Sequence, residues 1–352
     1  MDALIIVTAV VAVVGIVFLL FRTSILLGII KRSGVKEDTE ASNNRTASLL
    51  LIFLFLFIGG FWYYFFAVQP DLLPESSSIH GDQTDQLFFI AVGIILVPFT
   101  VLNILIFYAS YKFRYNKNRK ARYYPENNKL EIIWTVVPGI VFAVLILLGT
   151  QVWTNITREV PKDHEVVNVM GYQFAWAVRY PGPDGKLGAR DYLQTDASNA
   201  FGMDLTDQNA YDDFIPLEMH IPKGKPVLLN IIAKDVIHSV FMPHFRLKMD
   251  AVPGMPTRFW FTAKYTTEEM RVKLGDPDFN YEMACTEICG RGHFAMRMIV
   301  IVDELDEYQE WKSNQKSWLS QNPEYLDQVP DELVEVARIK SGLESTAFAA
   351  TK

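Results

Sequence analysis

Hydrophobic positions are spread unevenly along the chain. Residues 3–21, 47–68, 87–108 and 132–152 are almost purely apolar, and none of these runs contains a charged side chain. Each has the roughly 20 residues that a helix needs to cross a bilayer. As helices they satisfy their own backbone groups, which hydrocarbon requires. The first run lacks the basic leader and small-residue cleavage pattern of a signal peptide, so it too is expected to be a membrane helix.

The polar stretches between the runs set an orientation. Segment 22–45 carries Arg22, Lys31, Arg32, Lys36 and Arg45, and segment 112–129 carries Lys112, Arg114, Lys117, Arg119, Lys120, Arg122 and Lys129. Segment 69–86 has no Lys or Arg and holds Asp71, Glu75, Asp82 and Asp85. Basic loops stay in the cytoplasm, so both termini and everything after residue 153 are expected outside.

From about residue 162 the pattern changes to short β-branched and aromatic runs broken by Pro and Gly. Strands are expected over 165–180, 217–221, 226–234, 258–263, 279–284 and 294–302, which suits an antiparallel sandwich or barrel. Segment 183–214, rich in Gly, Asp and Asn, reads as a solvated loop insertion or as an acidic rim that steers a basic partner. Two helical stretches, 304–320 and 330–343, precede a small-residue tail at 344–352. The fold class is therefore an N-terminal α-helical membrane region of four helices followed by a C-terminal all-β domain. Composition adds one exclusion. Among 352 residues, 40 are acidic and 33 basic, for a net charge of −7. Without a basic face, nucleic acid is not an expected partner.

The chemistry gathers in Cys285-Thr-Glu-Ile-Cys289-Gly-Arg-Gly-His293-Phe-Ala-Met296, which holds both cysteines of the chain. Thiolate, imidazole and thioether are the soft ligands that select copper. One thiolate suffices for a single blue copper, whereas two on a short loop can bridge a pair. A two-metal cage needs a further ligand from elsewhere, and His238 in Asp235-Val-Ile-His-Ser is the best candidate. A Cys285–Cys289 disulfide is the plainer alternative. Zinc rarely takes a thioether, Met298 competes with Met296, and no C-x-x-C-H haem motif occurs. His80, His164, His220 and His244 are read as surface or core residues.

This loop, with Asp235-Val-Ile-His238-Ser and Lys248-Met-Asp-Ala-Val-Pro-Gly254, resembles subunit II of the haem–copper cytochrome c oxidases over about residues 87 to 320. The resemblance implies a cupredoxin-like domain carrying binuclear copper, CuA, held by His238, Cys285, Cys289, His293, Met296 and the backbone carbonyl of Glu287. It implies that the Glu287 carboxylate reaches a magnesium ion shared with subunit I. Glu131 in Leu-Glu-Ile-Ile-Trp-Thr matches a glutamate at the mouth of a proton channel, and also suits a helix N-terminus. Gly171-Tyr-Gln-Phe-Ala-Trp-Ala resembles the aromatic segment that accepts electrons from cytochrome c. Phe174 stands where the family has Trp, and Trp176, two residues on, is expected to share its strand face.

The implied organisation is 1–70, two extra membrane helices; 71–155, the subunit II hairpin; 156–305, the CuA domain; and 306–352, a helical extension. The implied protein is a multi-pass subunit of a proton-translocating oxidase in a bacterial inner membrane, with CuA on the periplasmic side. Its partners are subunit I and other oxidase subunits, and cytochrome c or a cytochrome c domain of another complex. The extra helices suggest a respiratory supercomplex. Other readings of the residues are a nitrous oxide reductase-like or other membrane-bound CuA electron-transfer protein, a quinol oxidase subunit, and a tethered copper carrier.

Overall fold

Segments too apolar to leave backbone amides exposed must close their hydrogen bonds internally, and all four apolar runs form helices. They are α1 (Asp2–Lys31), α2 (Thr39–Val68), α3 (Ile79–Lys112) and α4 (Asn128–Thr157). In this computed structural model the described residues are 2–31 and 39–343. Arg32, Lys36 and the tail 344–352 lie outside them. Among the described residues, these four helices are long and apolar enough to span a membrane.

The chain divides into two compact units, Met1–Pro70 with Ile94–Leu130, and Asp71–Gly93 with Glu131–Lys352. In the first, aromatic rings of α2 pack on α3: Phe61 lies 4.7 Å from Phe99, and Phe53 lies 5.5 Å from Phe107. Offset or tilted ring pairs of this kind give van der Waals contact that does not depend on water. The guanidinium of Arg114 donates to Asn44 at 2.5 Å.

The second unit holds two packed sheets. Their strands are β1 (Glu165–Tyr172), β2 (Ala175–Arg179), β3 (Met219–Pro222), β4 (Pro226–Ala233), β5 (His238–Met242), β6 (Leu247–Ala251), β7 (Thr257–Thr262), β8 (Tyr281–Cys285) and β9 (Arg297–Asp303). One sheet runs β2-β1-β4-β7 and the other β3-β9-β8-β5-β6. The sheets are mixed rather than antiparallel, because β1 pairs β4 and β3 pairs β9 in parallel. Alternating burial along β4 and β9 turns Val227, Leu229, Ile231, Val300 and Val302 into the interior. Cys285, Cys289 and Met296 belong to the same core cluster.

Three other expectations change. The run 165–180 is a hairpin turning at Gln173 and Phe174, not one strand. Strands β5 and β6 were not expected, and a capped helix, α5 (Thr267–Leu274), follows β7. Segment 183–214 is not a solvated loop. Its Phe201, Met203, Leu205 and Tyr211 are buried with Trp318 and Tyr325 in a second core, whose floor is Met170 and Ile232 on the outer side of the first sheet. Of the helices of the extension, α7 (Trp318–Gln321) and α8 (Val334–Ser341) supply that cover, whereas α6 (Leu305–Ser313) packs Trp311 against the first core. Arg179 and Asp213, both fully buried, pair beneath it.

Candidate metal centre

Strand pairing brings the candidate ligands together. Val240 on β5 lies opposite Cys285, the last residue of β8. His238, the first residue of β5, therefore stands at the same sheet end as Cys285. Beyond Cys285 the chain loops out and returns through a 3₁₀ turn at His293–Ala295 into β9. Two backbone bonds pin the base of this loop: Cys285 N–H donates to Met296 O at 3.0 Å, and Thr286 N–H to Ser239 O at 3.2 Å.

The side chains converge in two groups. His238 Nδ1 lies 3.9 Å from Cys285 Sγ, and the Glu287 carbonyl oxygen lies 3.3 Å from the same sulfur. His293 Nδ1 lies 3.6 Å from Cys289 Sγ, and Met296 Sδ lies 3.8 Å from it. The ligand atoms of His238, Cys285 and Cys289 all fall within 4.8 Å of one another. Both cysteines are buried free thiols, so the disulfide reading does not describe this structure. Burial, and then the neighbouring Cys285, push the Cys289 thiol up to about 11. A soft cation bound here would displace the thiol protons, and the donor set present is the one such a cation prefers.

Surrounding residues hold these donors. Asp235 Oδ1 lies 2.9 Å from His238 Nε2, an arrangement that turns Nδ1 toward Cys285. The backbone N–H groups of Gln173 and Val236 also donate to Asp235, at 2.8 and 2.7 Å. Burial works to raise Asp235, but these hydrogen bonds, led by His238, hold it below the usual carboxylate range. Gly171 lets the imidazole lie against β1, since a Cβ there would sit 2.9 Å from the His238 ring carbons and from Trp176. Across the site, Gln173 Nε2 donates to Cys289 O at 2.6 Å. Sequence reasoning missed Gln173 and Gly171. The carboxylate three residues before His238 was a readable signal for Asp235.

The two aromatic candidates do not share a face. Phe174, 40% exposed, sits in the hairpin turn and lies over Gly290 and Gly292, where any Cβ would strike its ring. Trp176, 5% exposed, is in β2 with its ring 6.0 Å from His238. The turn between β1 and β2 breaks the two-residue alternation that had placed them together. Glu287 points an exposed side chain outward while its carbonyl meets Cys285. Glu131 is exposed in the first turn of α4. Met298 is buried in β9 opposite Met283, and His244 packs on Phe279 and Tyr281, so neither joins the cluster.

A family profile described as cytochrome C oxidase subunit II, periplasmic domain, matches residues 165–303, and one described as its transmembrane domain matches residues 60–152. The alternative cytochrome c oxidase subunit 2 of Bradyrhizobium diazoefficiens is 34% identical over 67% of this chain and 80% of its own. Cytochrome c oxidase subunit 2 of Cereibacter sphaeroides is 29% identical over 69% of this chain and 78% of its own. Among solved structures, the periplasmic domain of subunit II of the Bradyrhizobium japonicum cytochrome oxidase is 25% identical, covering 45% of this chain and 97% of its own at a TM-score of 0.31.

Proposed function

Since the chain belongs to the cytochrome c oxidase subunit II family, we propose that it is the electron-accepting subunit of a respiratory haem–copper oxidase and that its loop-and-strand cluster holds CuA. The family makes it a subunit of a membrane oxidoreductase with a periplasmic, cupredoxin-like domain. On our reading His238, Cys285, Cys289, His293, Met296 and the Glu287 carbonyl would together hold the copper pair. Bound there, the copper pair supplies one-electron redox chemistry between an external cytochrome c and a haem in subunit I, where oxygen is reduced and protons are pumped.

The protein's own part is to hold still. Two thiols on one pinned loop, an imidazole fixed by Asp235 and a buried thioether leave little room for rearrangement between oxidation states. Phe174, an exposed aromatic lying across Gly290 and Gly292, is our choice for electron uptake, with Trp176 near His238. The outward Glu287 carboxylate is free to meet a magnesium ion at subunit I, and Glu131 opens α4 where a proton could be taken up. Both termini are placed on the periplasmic side of a bacterial inner membrane, and the two extra helices are assigned to contact with a cytochrome-donating complex.

One observation carries the copper reading: two free thiols, each with an imidazole nitrogen within 4 Å, share one buried pocket. The test is copper analysis and electron paramagnetic resonance on the purified, metallated full-length chain. We expect a copper pair per chain and a delocalised mixed-valence signal. A single copper, none, or thiols joined to each other would overturn the reading. Copper lost readily to a chelator, with no delocalised signal, would indicate a carrier instead.

A further inference from the structure

Where α3 begins and α4 ends, their polar turns meet the first sheet around a cavity of 210 Å³. His80 and Gln83 of α3, Asn155 of α4, the following Arg158 and Trp260 of β7 line it. His80 is 5% exposed, its ring stands edge-on to Trp260 at 4.4 Å, and its Nδ1 has no hydrogen-bond partner. Leaving such a buried nitrogen unpaired costs about 1–3 kcal/mol, so a ligand that supplies the bond is favoured. Arg158 lies with its guanidinium 5.4 Å from the Trp260 ring, and no carboxylate pairs with it among the described residues. No acidic side chain lines the cavity.

A second cavity, of 230 Å³, continues from the shared residues Gln83 and Asn155 between the two helices. Its walls include Leu87, Ile90, Leu148 and Val152, within the apolar runs that cross the bilayer. The cationic end is rigid. Asp85 receives Arg246 at 2.6 and 2.8 Å, Asp82 receives Lys264 at 2.7 Å, and the Ser78 hydroxyl donates to Phe245 O at 2.8 Å. These bonds hold the start of α3 against the sheets.

A polar, cationic pocket that opens into an apolar groove matches a molecule with an anionic head and a hydrocarbon tail. We propose that this groove binds one anionic phospholipid, its phosphate on Arg158 and His80 and an acyl chain between α3 and α4. A free anion would use only the first cavity, and a zwitterionic lipid would find no carboxylate there for its ammonium group. The site shares no side chain with the proposed copper ligands, so the two readings stand or fall separately.

Native mass spectrometry of the full-length chain, stripped of lipid in detergent and titrated with phosphatidylglycerol, tests this. One tightly held phosphatidylglycerol, bound in preference to phosphatidylcholine, is expected. Arg158→Gln should weaken it about tenfold and abolish the preference, and Arg158→Lys should retain most of it. Leu148→Trp fills the apolar half without touching the charge and should also weaken binding. Equal affinity for both lipids, or unchanged affinity in Arg158→Gln, would overturn the proposal. So would inorganic phosphate displacing the lipid while Leu148→Trp has no effect, since that is the behaviour of a free-anion site. If Arg158→Gln does not fold, the Lys and Trp variants decide the question.

Discussion

The two sides of the candidate ligand cluster are built differently. His238 and Cys285 stand on adjacent, hydrogen-bonded strands, where the register of β5 on β8 sets their separation. Cys289, His293 and Met296 hang on a loop whose shape depends on a few backbone bonds and on Phe174 lying across Gly290 and Gly292. Displacing the strand side means breaking a sheet ladder. The loop side can shift by rotating a few backbone dihedrals, so its geometry depends on what presses on it from outside. A cluster assembled this way has one side placed by the fold and one placed by local packing. The two should respond differently to the loss of a supporting contact.

The largest contrast is expected between Asp235→Asn and Gln173→Ala. Asp235 orients the His238 imidazole and is itself fixed by two backbone N–H groups. Removing such a partner of a metal-ligating histidine costs about 10–100-fold in metal affinity. Gln173 contributes one hydrogen bond to Cys289 O, whose loss is worth about 1 kcal/mol, or several-fold. Competition with a copper chelator on both purified variants measures the two values. If Gln173→Ala loses copper as readily as Asp235→Asn, the loop is as firmly determined as the strands and the distinction fails.

A second pair sharpens the same contrast through stability. At Gly171 an added methyl collides with the His238 ring and Trp176, both buried and unable to retreat. Overpacking of this kind costs about 1–3 kcal/mol. At Gly290 φ is +134°, and the methyl meets the edge of the more exposed Phe174 ring. The backbone cost there is similar, about 1–3 kcal/mol, but the loop and Phe174 can move together. Gly171→Ala should therefore lower the thermal midpoint of the β-domain. Gly290→Ala should mainly loosen copper and lower the melt less than Gly171→Ala does. Calorimetry with copper titration on each variant separates these outcomes.

How much of this was readable beforehand follows from where each signal lies. The ligand loop was legible because its two thiols, imidazole and thioether are close neighbours in the chain, and the apolar runs because they lack interruption. Strands β5 and β6 were hidden: His238, Ser239, Lys248 and Asp250 break the apolar pattern, although the sheet accommodates them by pairing Ser239 with Asp250 at 2.7 Å. The second core was hidden for another reason. Phe201, Met203, Leu205 and Tyr211 are scattered among Asp and Asn turn formers, and Trp318 and Tyr325, which cover them, are distant in sequence. No local pattern records a partner so far along the chain. His80 looked like a loop histidine because helix α3 starts before its apolar run does.

The smallest expected effect concerns the frame that supports the strand side. Glu165, at the start of β1, receives Lys225 at 2.9 Å and Lys312 of α6 at 3.2 Å, so it ties the closing helix to the sheet. Burial works to raise its carboxyl, but hydrogen bonds from Lys225 and the charge of Lys312 outweigh this and hold it below the ordinary 4.5. A carboxylate depressed in the folded state contributes stability above its unfolded value, and that contribution is lost as pH falls through its folded one. Glu165→Gln should therefore cost about 1 kcal/mol at neutral pH. The gap in thermal midpoint between wild type and variant should stay constant from pH 8 down to about 5 and close below the ordinary glutamate range. Copper retention should be unchanged, because Glu165 lies at the opposite end of β1 from Gly171. If the gap does not narrow at all on acidification, the charge of Glu165 contributes nothing to stability and the effect of the variant comes from packing.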